Sequence, residues 1–155
     1  MRTRLATLAV AAFCGVLLLA TPATAATAVL RTTLTAAAVP TGGDPAGSGE
    51  AYVVVDTTTG RVCTVVVVRG VAQIIAAHIH KAPAGAIGPH AIDLNTPIDY
   101  GTGTAVSVTC TVEAPALVAD LMANPSGYYV NVHSAARVLG ALRGQLTSLT
   151  AGAGA

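Results

Sequence analysis

The sequence predicts an all-β domain: an antiparallel β-sandwich or barrel of about eight short strands, with one short helix and one disulfide. Three observations carry this. The apolar residues come in brief β-branched runs broken by Gly, Pro and Asp, not in long helical periodicities. The runs follow one another at turn-like spacing, without the alternation of strands and long helices that builds a parallel sheet. Past the first apolar stretch the chain keeps two cysteines, Cys63 and Cys110, an even number suited to pairing.

In chain order the predicted strands cover residues 28–34, 51–55, 62–68, 73–80, 90–94, 104–112, 128–133 and 139–146. Between the second and third lies Asp56-Thr57-Thr58-Thr59-Gly60, a turn-rich connection that predicts a hairpin. Residues 40–49 contain two prolines and four glycines and read as a loop. One segment, 115–122, reads as a helix. Pro115 suits a first helical turn, Leu117/Leu121 and Val118/Met122 are i,i+4 pairs, and Asn124-Pro125 stops the run. Residues 147–155 offer little to pack and are predicted to form a flexible tail.

The N-terminus carries Arg2 and Arg4, then an uncharged Leu/Ala/Val-rich run over residues 5–20, then Ala23-Thr24-Ala25 and Ala26-Thr27-Ala28, both of A-x-A type. This predicts a cleavable signal peptide over residues 1–25, too short to span a membrane comfortably. The expectation is a secreted domain over residues 28–146 with no stable membrane anchor after cleavage, Cys14 leaving with the peptide. The chain has eight basic and seven acidic residues. Losing Arg2 and Arg4 turns it slightly acidic, which removes the electrostatic case for nucleic acid or anionic lipid. In an oxidising compartment Cys63 and Cys110 are expected to pair, and the chain-entropy model assigns such a loop about 4 kcal/mol.

Chemistry concentrates in His78, His80, His90 and His133. On a strand, residues i and i+2 share a face, so His78 points with His80, and Asn131 with His133. If those strands are neighbours, three imidazoles meet, a set suited to copper or zinc. His78, His80 and His133 are therefore candidate ligands of one mononuclear site, with His90 a candidate fourth. The competing reading makes the histidines hydrogen-bond hubs that hold the Gly-rich stretch 82–88, with Asn131 in a similar role. No other cofactor is indicated. Ser48 is not in a nucleophile elbow, no phosphate-cradling loop appears, and Asp93 and Asp99 read as solvated loop acids. Arg143 is expected to bridge to a carboxylate such as Asp120. Tyr128 and Tyr129 alternate faces, so one is expected in the core. No catalytic constellation is complete, which favours a non-enzymatic role.

Two segments are distinctive. The first is His78-Ile79-His80-Lys81-Ala82-Pro83-Ala84-Gly85-Ala86-Ile87-Gly88-Pro89. The second is Tyr128-Tyr129-Val130-Asn131-Val132-His133-Ser134, followed by Gly140-Ala141-Leu142-Arg143-Gly144-Gln145-Leu146. In order and spacing they resemble the CHRD domain, found in the growth-factor antagonist chordin and in many exported microbial proteins. The resemblance runs from about Leu30 to Leu146. It departs at Ala38-Val39-Pro40, where the family usually has Glu-Val-Pro, and at Lys81, where Gly is commoner. The resemblance implies an extracellular β-sandwich-like domain with Gly88, Asn131, Arg143 and Gly144 as motif positions, and it implies no established reaction. The expected function is a secreted, non-enzymatic binding or structural module whose partner is an extracellular protein or small ligand. The alternative is a mononuclear copper- or zinc-binding protein, with redox activity open to it.

Overall fold

The computed structural model describes residues 26–149. The predicted signal peptide, with Cys14, lies outside the described residues, as do residues 150–155 of the predicted tail. The elements are β1 (Thr27–Thr35), β2 (Ser48–Asp56), β3 (Arg61–Arg69), β4 (Ile74–Lys81), β5 (His90–Leu94), β6 (Ile98–Asp99), β7 (Thr104–Val112), α1 (Pro115–Ala123), β8 (Tyr128–Ser134), β9 (Arg137–Gln145) and β10 (Thr147–Ser148). A single 3₁₀ turn, Pro125–Gly127, joins α1 to β8.

All strand pairs are antiparallel, in one sheet of order β5-β4-β8-β9-β1-β2-β3-β7-β6, with β10 also on β1. The sheet curls into a half-barrel. Among the described residues the all-β prediction and its single helix stand, with ten strands where about eight were expected. The additional two are the two-residue strands β6 and β10, too short to show alternation. β2 also begins earlier than expected, pairing Ser48 with Arg69 and Gly49 with Val68, so the loop predicted over 40–49 gives up its last two residues. Thr147 and Ser148, expected in the tail, pair with Arg31 and Leu30.

Alternation along the strands sorts the core. Ala51, Val53 and Val55 of β2, Val62, Val66 and Val68 of β3, and Ala77 and Ile79 of β4 turn to one face and are buried, as do Val130 and Val132 of β8. Burying each of the valines and Ile79 contributes about 1.5–3 kcal/mol. α1 covers this core with Val118 and Leu121. Pro115 occupies its first turn, and Asn124 closes it by donating its backbone N–H to the Asp120 carbonyl.

β1 pairs with β2 along its whole length but meets β9 at one register position, Thr35 with Arg143. Beside that point the two chains run unusually close. A Cβ on Gly144 would lie 2.2 Å from Thr32 Oγ1 and 2.3 Å from the Thr33 carbonyl oxygen. Only glycine permits that approach, which gives this motif position a physical reason.

Cys63 and Cys110 stand opposite each other on β3 and β7 and form the expected disulfide, spanning 47 residues with Cα atoms 4.1 Å apart. They lie on the outer face of the sheet, with Tyr52, Val54 and Val108 of neighbouring strands exposed beside them. At β4, β8 and β9 the same outer face is covered by loops, and His78, His80 and His133 lie there.

Candidate metal centre

β8 is buried over all seven of its residues. Tyr128, Val130 and Val132 face the core, while Tyr129, Asn131 and His133 face outward under cover. Those covered residues, with His80, His90 and Arg143, line an open cavity of about 260 Å³ that Val39, Pro40, Ile87 and Leu139 also border. Both tyrosines are therefore buried, one in the core and one in the cavity wall.

Pairing of β4 with β8 builds the cluster. His80 lies opposite Tyr129, His78 opposite Asn131 and Ala76 opposite His133. The two i,i+2 pairs thus share the outer face of adjacent strands. His78 Nδ1 lies 3.2 Å from His133 Nε2. The His80 ring centroid is 5.5 Å from that of His78 and 6.0 Å from that of His133. One ring nitrogen from each of His78, His80 and His133 falls within 4.8 Å of the others.

Backbone carbonyls set the tautomers. His80 Nδ1 is 3.0 Å from the Gly88 oxygen, and His133 Nδ1 is 2.9 Å from the Val138 oxygen. A carbonyl only accepts, so each Nδ1 donates and each Nε2 carries a lone pair when the ring is neutral. Asn131 Nδ2 donates to His133 Nε2 at 3.2 Å and to the Leu139 carbonyl at 3.3 Å. His80 Nε2 is buried and has no hydrogen-bond partner among the described residues, and the same holds for Asn131 Oδ1. Burial depresses the pKa of His80 and of His133. His78 is pushed down to about 4, by burial first and then by His90, His133 and His80. The three rings are neutral at pH 7.

His90 occupies a different position from the trio. Its ring stacks on His78 with centroids 3.9 Å apart. It groups with His78 and Asp93, which lies opposite His78 across the β4–β5 pair. Asp93 was read as a solvated acid. It is exposed, yet its Oδ1 lies 3.4 Å from His90 Nδ1 and 3.8 Å from His78 Nε2. Its i,i+3 spacing from His90 was visible in sequence; its register with His78 was not.

Arg143 does not bridge to Asp120. β9 directs it to the outer face, where it is 2% exposed. Its guanidinium donates to the Ala86 carbonyl at 2.7 Å and the Pro83 carbonyl at 3.0 Å. Asp120 instead accepts from Lys81 at 2.6 Å, the Tyr128 hydroxyl at 2.6 Å and Asn124 Nδ2 at 2.7 Å. These contacts, Lys81 foremost, hold its carboxyl well below the usual carboxylate range. Sequence reading also missed Tyr129. Its ring stacks on His80 from β4, 4.9 Å between centroids, and lies 3.4 Å from the Arg143 guanidinium carbon of β9. Its hydroxyl accepts the Gly88 N–H at 3.2 Å. Gly88 thus serves both Tyr129 and His80, and the 82–89 loop is held from beneath by Arg143, Tyr129, His80 and Gln145.

No curated protein and no solved structure matches the chain. The family model described as the CHRD domain matches residues 30–146, which include every strand of the histidine cluster and the loop that covers it. The chain belongs to the CHRD domain family.

Proposed function

We propose that this domain is an extracellular, non-enzymatic binding module whose ligand is a divalent transition metal, copper or zinc, held by His78 Nδ1, His80 Nε2 and His133 Nε2, with Asn131 Nδ2 giving up its hydrogen bond on His133 Nε2 to the ion. The observation that carries the reading is His80 Nε2. It is buried, on a ring grouped with those of His78 and His133, and has no hydrogen-bond partner among the described residues, while its Nδ1 is fixed by the Gly88 carbonyl. Leaving a buried acceptor unpaired costs roughly 1–3 kcal/mol, and a metal bond removes that cost. The 3.2 Å between His78 Nδ1 and His133 Nε2 suits two nitrogens that share one ion at about 2.0–2.1 Å each. An all-imidazole set without thiol fits copper or zinc and disfavours calcium or magnesium. Export is supported by the Cys63–Cys110 disulfide and by the family.

A purely structural module is the second reading, favoured by the carbonyls of the 82–89 loop that His80, Arg143 and Gln145 hold. It accounts for Nδ1 of His80 and leaves Nε2 without a purpose. Titration of the tag-free mature domain with Zn(II) and Cu(II) separates the two. The metal reading expects saturable binding that His80→Ala weakens by about tenfold or more, on the scale of losing a metal-site residue. Wild-type and His80→Ala titrations that coincide would assign the histidines to loop anchoring.

A further inference from the structure

We infer a second metal subsite on the far side of His78, formed by His78 Nε2, Asp93 Oδ1 and His90 Nδ1 once the exposed His90 ring turns out of its stack on His78, so that the His78 ring is shared between two ions. This rests on the metal reading of the His78–His80–His133 cluster. The argument is the orientation of one imidazole. Its Nδ1 lies 3.2 Å from His133 Nε2, within the trio. Its Nε2 points the other way, 3.8 Å from Asp93 Oδ1. That oxygen is also 3.4 Å from His90 Nδ1. The two groups, His78 with His80 and His133 and His78 with His90 and Asp93, each gather their ligand atoms within 4.8 Å and have only His78 in common.

The subsites differ in character. The inner one is all-imidazole and covered. The outer one adds a carboxylate and is open to solvent, with the His90 side chain 55% and the Asp93 side chain 83% exposed. The inner ion is therefore held more tightly and the outer one exchanges more readily. When both bind, the remaining N–H proton of His78 leaves to solvent, two metal–nitrogen bonds form on one ring, and no oxidation state changes. Asp93 supplies negative charge beside two cations where the inner set has none.

Copper titration of the tag-free domain, read by metal analysis and electron paramagnetic resonance, tests this. Wild type is expected to take two equivalents of Cu(II), the second more weakly. The doubly loaded form should lose most of its integrated signal per copper, because an imidazolate bridge couples the two spins. His90→Ala and Asp93→Ala alter exposed side chains and leave the fold intact. Each should bind one equivalent with the full signal of an isolated Cu(II). Wild-type saturation at one equivalent would overturn the second subsite and leave the inner one standing, as would His90→Ala and Asp93→Ala variants that take two equivalents with wild-type affinity. Two equivalents with two uncoupled spins would overturn the sharing of His78. No binding at all would defeat the metal reading itself.

Discussion

His78 Nδ1 lies 3.2 Å from His133 Nε2, although the two residues are 55 positions apart in the chain. Pairing of β4 with β8 makes the contact, and the covering loops remove the rings from water. The same burial sets the acid response of the fold.

Stability of the metal-free domain should fall as pH drops from about 6.5 towards 4. The depressed histidines take up protons in the unfolded chain near their ordinary value of 6.5, whereas His78 in the fold resists until about 4. Between those values the unfolded state binds more protons, so stability rises with pH and is full only above the window. Asp56, Asp99 and Asp120, whose pKa values are also lowered, act at more acid pH, below the ordinary aspartate value. Urea midpoints at pH 7, 5.5 and 4.5 check this. A midpoint unchanged across that series would contradict the buried, neutral state of the rings.

Removing the disulfide as the Cys63→Ala, Cys110→Ala double variant should lower stability by about 2–4 kcal/mol and leave metal binding in place. The bridge joins β3 to β7, away from the strands that carry the histidines. Chemical denaturation with a parallel metal titration reads both. Free thiols at Cys63 and Cys110 in the unreduced mature protein would refute the bridge itself.

Gly144→Ala should destabilise the fold by about 1–3 kcal/mol, the usual cost of overpacking. The added Cβ would meet Thr32 Oγ1, which can rotate, and the Thr33 carbonyl, which cannot without moving β1. Thermal unfolding measures the effect, and an alanine variant as stable as wild type would show that β1 and β9 can separate freely.

Arg143→Lys should loosen the 82–89 loop. A lysine cannot fork to the Ala86 and Pro83 carbonyls together, so one of the loop's two ties to β9 is lost. Amide hydrogen exchange over residues 82–89 should quicken. Since Gly88 also fixes the His80 tautomer, metal affinity should fall with it. Unchanged exchange in the loop would show that Gln145, Tyr129 and His80 hold it without Arg143.

The elements that were legible in sequence are those with a local cause. The β-branched runs mark β2 and β3 as strands, the Asp56–Gly60 turn marks their hairpin, and Pro115 and Asn124-Pro125 bound α1. The pairings His78 with His80 and Asn131 with His133 follow from strand periodicity alone. Their meeting does not, because β4 and β8 join distant parts of the chain. Arg143 was matched to a carboxylate because charge is visible in sequence; its actual partners are backbone carbonyls, which any residue carries. In sequence Tyr129 is only one of an alternating pair and Asp93 only a solvated loop acid, for the same reason. Their importance comes from the ring stacked on one and the register opposite the other, and neither leaves a pattern along the chain.

The central claim is most directly tested by the metal content of the mature domain, purified without a histidine tag and dialysed against Cu(II) or Zn(II). The account predicts at least one equivalent retained per chain by wild type, lost in the His80→Ala, His133→Ala double variant while the fold persists. Wild-type protein that retains no copper or zinc above a buffer blank would contradict it.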